Sequence, residues 1–445
     1  MRRNRTTTYL SGFIFSLGFA FLVLWLPVDS IIKIGTLEFK ILGSFSILGR
    51  QLVLGQDRQA ILFLIYAISA FWLFGGWITS ASVLLPPIGM LLNAFLIGSL
   101  AVDPFLYGAI FIEIATLITI PLLAQNTKRM NPGALRFLIF QTIGMSFLLF
   151  TGWLLGGFET GPVDQSAINR AFVFLGLGFA FILAIFPFYS WIPMLTEHED
   201  PYITGFILIL FPTAILLFGI SFIEKYSWLR NSIELQRALL VVGAVMVVTG
   251  GIWSAFQKNL GRMFGYAVII ENGLSLISLG LMTRNGFQIF ANLFLPRILS
   301  LGMWAFCLSL VKQKYGSLDL QKVMGLGKSS PILILALLAA QFSIGGLPLL
   351  AGFPLRVAIL EEIAFQSVGI TLAIIIGIGG IWAAGLYSLS IFLRSDSDWK
   401  RFFDMSLLVN ILLVLGIIGL MIMGLFPHTY TAIMIKILLT YSHLF

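Results

Sequence analysis

The sequence predicts an all-α polytopic membrane protein of about 13 transmembrane helices, with two inverted five-helix repeats that each contain a broken helix. Three observations carry that expectation. Of the 445 residues, 59% are hydrophobic and 10% charged, a balance that no water-exposed globular surface accommodates. Apolar runs of about 20 residues, enough to cross a bilayer as a helix, follow one another almost end to end. Two of these runs are interrupted by proline and glycine, and the interruptions lie five segments apart.

The first segment lies in MRRNRTTTYLSGFIFSLGFAFLVLWLPVDS. Its basic start raises a cleaved signal peptide, but the apolar run is long for one and no small-x-small cleavage site follows. A spanning helix from near Tyr9 is therefore expected. The next stretch, IIKIGTLEFKILGSFSILGRQLVLGQD, alternates apolar and polar residues with glycine at turn positions, and predicts an extended, hairpin-like excursion between Ser30 and Arg58 on the outer face. Further segments start near Gln59, Ser82, Asp103, Gly133, Asn169, Tyr202, Ala238, Met263, Phe287, Pro331, Ile370 and Met405, with a polar gap from Lys312 to Ser330. These divide into N-terminal helices and hairpin (1–80), a first five-helix repeat (81–224), an inverted second repeat (237–394), and a C-terminal helix and tail (395–445).

The breaks justify the repeat. In NRAFVFLGLGFAFILAIFPFYSWIP, Pro187 lacks a backbone donor and clashes with the preceding turn, so the helix must kink or end. In PILILALLAAQFSIGGLPLLAGFPLRVAILEEIA, Gly345, Gly346, Pro348, Gly352 and Pro354 do the same. An odd separation makes the second copy enter the membrane from the opposite side, the layout that places unpaired backbone groups and ionisable side chains near the midplane. The plainer alternative is that these residues merely bend two helices.

Charge sets orientation. With an inside N-terminus, Arg2, Arg3, Arg5, Lys128, Arg129, Lys258, Arg262, Lys312, Lys314, Lys322, Lys328, Arg394, Lys400 and Arg401 fall on one side, against fewer on the other, including Lys33, Lys40, Arg50, Arg58, Lys225, Arg230 and Arg237. The positive-inside rule puts the N-terminus in the cytoplasm and the C-terminus outside. The net charge of +8 thus reflects topology and not nucleic-acid binding. The single cysteine, Cys307, lies in an apolar segment, so no disulfide, metal site or iron–sulfur cluster is expected.

A charge in hydrocarbon costs several kcal/mol, so each intramembrane ionisable residue is a functional candidate. They are Glu113, Glu271, Arg297, Arg356, Glu361 and Glu362. Arg136, opening the fifth segment, reads as a snorkelling end residue. Glu361, at i+5 from Arg356, does not share its helical face, and Glu362 falls on the side of Ala358 and Ile359, so pairing of Arg356 with either acid depends on the break geometry. Arginine stays charged, so any relayed proton travels on the glutamates. The structural alternative is a set of ion pairs that fix helix packing.

Four stretches carry a resemblance. GLGFAFILAIFPFYSWIP with the acidic EHED and Pro201 is similar to the signature of the antiporter-like membrane subunits of respiratory complex I, which are related to subunits of Mrp-type cation/proton antiporters. DPFLYGAIFIEIATL resembles the family's helix with its essential glutamate, which maps to Glu113. SAFQKNLGRMFGYAVIIENGLSLISLGL matches its motif at Gln257, Asn259, Leu260, Arg262, Tyr266 and Gly273. MGLGKSSPILILALLAAQFSIGGLPLLAGFPLR matches at Gly325, Leu326, Pro331, Ser343, Gly346, Pro348, Gly352 and Phe353. The resemblance covers nearly the whole chain, although the family's usual first helix has no counterpart. EHED then becomes the cytoplasmic connection after the first broken helix, with His198 a loop residue.

The resemblance implies a membrane-arm subunit of a redox-driven proton or sodium pump, in a bacterial plasma membrane, beside homologous antiporter-like and small membrane subunits, with no cofactor and no quinone bound to this chain. The departures complicate that. Ile182 stands where the family has a lysine paired with the glutamate at Glu113, and no titratable residue occupies Phe211 to Ile215, where a second lysine is usual. Tyr189 replaces a histidine, Arg297 a lysine, Arg356 a lysine or glutamate, and Glu271 a frequent histidine. The N-terminal half-channel is therefore expected to be degenerate. Two rivals remain: a non-pumping structural subunit of the membrane arm, and a subunit of a cation/proton antiporter without a redox partner.

Overall fold

A computed structural model describes residues 2–34, 37–47, 49–124, 131–156, 165–394 and 405–444. Lys128, Arg129, Lys400 and Arg401, on which part of the charge asymmetry rests, lie outside them, as do the side chains of Arg2 and Arg3.

The chain is nearly all helical. In order come α1 (Arg2–Trp25), β1 (Ile31–Ile34), β2 (Leu37–Lys40), β3 (Ser44–Ile47), β4 (Arg50–Val53), α2 (Gln59–Ile78), α3 (Leu85–Ala101), β5 (Val102–Asp103), α4 (Gly108–Ile118), α5 (Ile120–Leu123) and α6 (Pro132–Gly156). Then follow α7 (Gln165–Ile182), α8 (Trp191–His198), α9 (Pro201–Lys225), α10 (Ser227–Arg230), α11 (Ile233–Ala255), α12 (Leu260–Gly280) and α13 (Arg284–Tyr315). The last are α14 (Leu326–Ser329), α15 (Pro331–Ile344), α16 (Phe353–Ala364), α17 (Val368–Leu393), α18 (Leu407–Leu425) and α19 (His428–Ile435). The predicted outer-face excursion forms strands: β1 pairs with β2 and β3 with β4, all antiparallel, and β5 adds to β4 from outside that stretch.

Every expected apolar segment coincides with a helix. Among the described residues, however, nine helices are long and apolar enough to cross a membrane, or ten if the pair Leu320–Ser329 and Pro331–Ile344, bent by 118°, counts as one span. Leu85–Ala101, Gly108–Leu123 and Ser166–Ile182 are shorter apolar helices. The expected segment at Asp103 begins only at Gly108, because Val102 and Asp103 pair with β4.

Helix starts follow local chemistry. Asp200 accepts from the amides of Tyr202 and Ile203 at 2.8 and 3.2 Å, with Pro201 fixed in the first turn of α9. Asn259 caps α12 in the same way, and Thr283 caps α13 through the Gly286 amide at 3.0 Å. Gly316, left-handed at φ 66°, ends α13, a conformation that costs glycine nothing.

Both breaks form. α7 stops at Ile182, the chain turns through Ala184 and Pro187, and α8 resumes at Trp191. α15 stops at Ile344, and α16 resumes at Phe353 after Gly346 and Leu349, both at positive φ.

α9, α12 and α13 are the buried centre of the bundle. α3 packs on α4 and α9, α4 on α6, and α6 on α7 and α8; likewise α11 packs on α12 and α17, α12 on α13, and α13 on α15 and α16. Arg5 bonds the Ala81 carbonyl and Trp72 the Tyr202 carbonyl at the start of α9, whereas the His443 amide bonds Glu224 at its end. The two termini are therefore anchored at opposite ends of the bundle.

α11 and α17 meet backbone to backbone: a Cβ at Gly380 would collide with the Gly251 carbonyl, and one at Gly251 with Gly377. Gly380→Ala gains about 1 kcal/mol of helix propensity but overpacks this crossing by about 1–3 kcal/mol. A lower thermal midpoint of the full chain in detergent is expected, and an unchanged or raised one would disprove the close approach.

Candidate functional site

The second break builds a buried polar cluster. Ending α15 at Ile344 leaves carbonyls without intrahelical donors, and these carry the negative end of the helix dipole. Arg356, on the second turn of α16, donates its Nε to the Ile344 carbonyl at 3.2 Å. Its Nη2 donates to Glu271 Oε1 on α12. One guanidinium thus caps the broken helix and neutralises a carboxylate, and both side chains are almost wholly buried, at 4% and 1% exposure.

One residue along α12, Asn272 accepts from Arg297 Nη2 at 2.8 Å. Arg297 follows Pro296 in the middle of α13 and is 1% exposed. Ser343 ties the break to α13 through Ser300, at 2.8 Å between hydroxyls, and receives the Gly352 amide at 3.2 Å. Trp382 of α17 closes the other side by donating to the Gly345 carbonyl at 2.8 Å.

This cluster is not fully paired by protein. Glu271 Oε2, Asn272 Nδ2, Arg297 Nε and Nη1, and Gln341 Nε2 are buried without a hydrogen-bond partner. Such atoms cost about 1–3 kcal/mol each when left without a partner. Beyond Arg356, α19 places Tyr430 at 4% exposure, its hydroxyl also unpartnered. Burial pushes that hydroxyl up to about 12 against the opposing field of Arg356.

The first break has the same skeleton, and among the described residues no cation caps it. The Ile182 carbonyl that ends α7 accepts from Gln141 Nε2 of α6 at 2.9 Å, so a neutral amide stands where Arg356 stands in the second break. Glu113 on α4 is 8% exposed, accepts from Thr142 at 2.7 Å, and keeps Oε2 unpartnered. Gln141 and Asn272 both line a cavity of about 10 Å³, small enough for a single water, together with Ile182 and Trp191.

Of the sequence candidates, the structure gathers Glu271, Arg297 and Arg356, and holds Glu113 apart in the first half. Glu361 and Glu362 are not brought to the cluster. Five residues advance about 140° around a helix, so once Arg356 faces Glu271, Glu361 points to the exposed side. Glu362 instead accepts from Asn285 at the start of α13, at 2.8 Å. Arg136 is exposed and reaches only the Met194 sulfur. Asn272, Gln141, Thr142 and Ser343 were missed as partners, although an amide or hydroxyl inside a spanning segment is itself a signal.

The EHED stretch is a packing hub, and Glu197 and His198 close α8, where His198 was expected in a loop. Lys312 from the end of α13 donates to the His198 and Glu199 carbonyls at 3.0 and 2.6 Å, and Arg262 at the start of α12 lies 3.5 Å from Glu197. Burial raises the Glu199 carboxyl above its ordinary range, opposed by a hydrogen bond from Asn131 and the charge of Lys312. Among the described residues no cluster of three metal-ligating side chains occurs.

Residues 105–381 match the family described as NADH:quinone oxidoreductase/Mrp antiporter, transmembrane. Relatives include NADH-quinone oxidoreductase subunit N of Pelagibacter ubique, 27% identical over 55% of this chain and 54% of that protein. Another is NAD(P)H-quinone oxidoreductase subunit 2 of Synechococcus sp., 30% identical over 56% of this chain and 51% of that protein. The chain thus spans about half the length of these curated relatives. Among solved structures, a chain of the archaeal membrane-bound sulfane sulfur reductase superposes with a TM-score of 0.79 at 18% identity, covering 98% of this chain and 93% of that one. A chain of the Mrp complex from Dietzia sp. gives 0.76 at 15% identity over 99% and 93%, and one of complex I from Thermus thermophilus 0.74 at 16% over 98% and 99%. At these identities the likeness is one of fold.

Proposed function

This chain belongs to the NADH:quinone oxidoreductase/Mrp antiporter family of membrane subunits, and we propose that it moves protons or sodium ions through its C-terminal half, driven by electron transfer elsewhere in a membrane-arm complex. The observation that carries this reading is the buried Glu271–Arg356 pair at the second break, with unpartnered polar atoms around it. A carboxylate held by a permanent cation at the end of a broken helix can take up or release a proton as that contact opens and closes.

The packing supports two inverted repeats, α3 to α9 and α11 to α17, because each contact within the first set has its counterpart in the second. Counted as helices joined across their breaks, the chain would have about 13 crossings, with a cytoplasmic N-terminus and an external C-terminus. In this frame Glu113 and Glu271 occupy corresponding helices, and Ile182 and Ile344 corresponding helix ends. Among the described residues, Glu271 pairs with a cation and Glu113 with the Thr142 hydroxyl, which supports a degenerate first half. The neighbours would be homologous antiporter-like and small membrane subunits, without quinone on this chain. A structural role is favoured instead by one fact: Glu271 and Arg356 are closed on each other.

The two glutamates tested in parallel decide between these. In vesicles holding the assembled complex, Glu113→Gln should leave the ions moved per electron within about 20% of wild type, while Glu271→Gln lowers them. Equal loss for both variants, or no loss for either, rejects the division between halves. In an Ile182→Lys background, which returns a cation to the first break, Glu113→Gln should become costly.

A further inference from the structure

Three side chains that line one small cavity each keep a polar atom without a partner among the described residues. Gln141 of α6, Trp191 of α8 and Asn272 of α12 are 2%, 3% and 2% exposed, and they leave Gln141 Oε1, Trp191 Nε1 and Asn272 Nδ2 unbonded. Both amides are oriented by their other end. Gln141 Nε2 donates to the Ile182 carbonyl at 2.9 Å, so its oxygen is the free acceptor. Asn272 Oδ1 accepts from Arg297 at 2.8 Å, so its nitrogen is the free donor. Trp191 packs its ring on Phe137 at 4.9 Å between centroids, and an indole can only donate.

α9 supplies a fourth group. Pro212, inside this helix, has no amide to give the Leu208 carbonyl four residues back, and both residues line the cavity. Two N–H donors and two carbonyl oxygens thus border a volume of about 10 Å³, about what one buried water needs.

We propose that this cavity binds a single water molecule, which accepts from Trp191 and Asn272, donates to Gln141 and Leu208, and so ties the first break to the second. The lining chemistry excludes other small occupants. A metal cation or hydronium meets two inward N–H groups, an anion meets two carbonyl oxygens, and neutral water has the two donors and two acceptors that match. The bonds then run in one direction, from Arg297 through Asn272, the water and Gln141 to the Ile182 carbonyl at the end of α7. Bonds aligned in this way polarise one another, so the charge of Arg297 is felt at the end of α7. This tie needs no ion transport and stands apart from the transport reading above.

A cryo-EM map of the assembled complex, at a resolution that shows ordered water, should contain one peak about 2.7–3.2 Å from Gln141 Oε1, Trp191 Nε1 and Asn272 Nδ2. No peak, a direct Gln141–Asn272 hydrogen bond, or a peak at a coordination distance of about 2.0–2.4 Å from Gln141 Oε1 overturns the site. A mutant cycle tests the tie. Gln141→Met and Asn272→Leu each keep the side-chain volume and remove both polar ends, so each should lower the thermal midpoint of the full chain in detergent. The double variant should fall by no more than about two-thirds of the summed losses, because the second change finds the water already released. Additive losses would show that the two amides share no water, and would overturn the tie even where a peak is present. Where Gln141→Met does not fold, Trp191→Phe takes its place in the cycle, because it keeps the ring against Phe137 and removes one bond to the water.

Discussion

Glu271→Gln is expected to lower the number of ions moved per electron in the assembled complex while electron transfer continues. Glutamine keeps the volume and an acceptor for Arg356, but it neither ionises nor carries a proton. Arg356 and Arg297 cannot substitute, since guanidinium remains charged at any accessible pH. No other carboxylate reaches the cluster among the described residues: Glu361 is exposed and Glu362 is engaged with Asn285. The variant therefore removes the one carboxylate that reaches this cluster among the described residues and leaves its architecture standing. Measured as proton or sodium uptake per NADH or equivalent donor oxidised, unchanged stoichiometry would leave the C-terminal half without a transport role. Fully lost electron transfer would mean that the variant damaged assembly and not transport.

The second large effect is on stability. Arg356→Met strands the Glu271 carboxylate and the Ile344 carbonyl in a buried site, at a cost of about 3–5 kcal/mol for the broken pair. Glu271→Met alone strands the guanidinium at similar cost. The double variant leaves no uncompensated charge, so most of the loss should return, short of about 1–3 kcal/mol for the carbonyl that Arg356 also served. Thermal unfolding of the full chain in detergent reads this cycle. Additive losses would show that the two side chains do not pair in the folded protein. Strong recovery would show that the pair is not kept for stability, which leaves selection for function as its reason to exist.

The sequence by itself determined that this chain lives in a membrane, where its helices run and where two of them break. Those properties follow from local rules. Apolar length sets a span, proline and glycine stop one, and Asp200, Asn259 and Thr283 start the next. It also named Glu271, Arg297 and Arg356, because a charge amid apolar residues stands out without any knowledge of the fold.

Only the tertiary structure decided who pairs with whom. Arg356 lies five and six residues from two acids of its own helix, yet its partner is Glu271, which is 85 residues away in sequence. That choice depends on how far the chain turns between Ile344 and Phe353, and so on which side of α16 faces α12. The same holds for Gln141 at the Ile182 carbonyl and for Asn272 at Arg297: ordinary amides gain their role from a contact between helices. Residue type fixes what a side chain can do, and packing fixes what it meets.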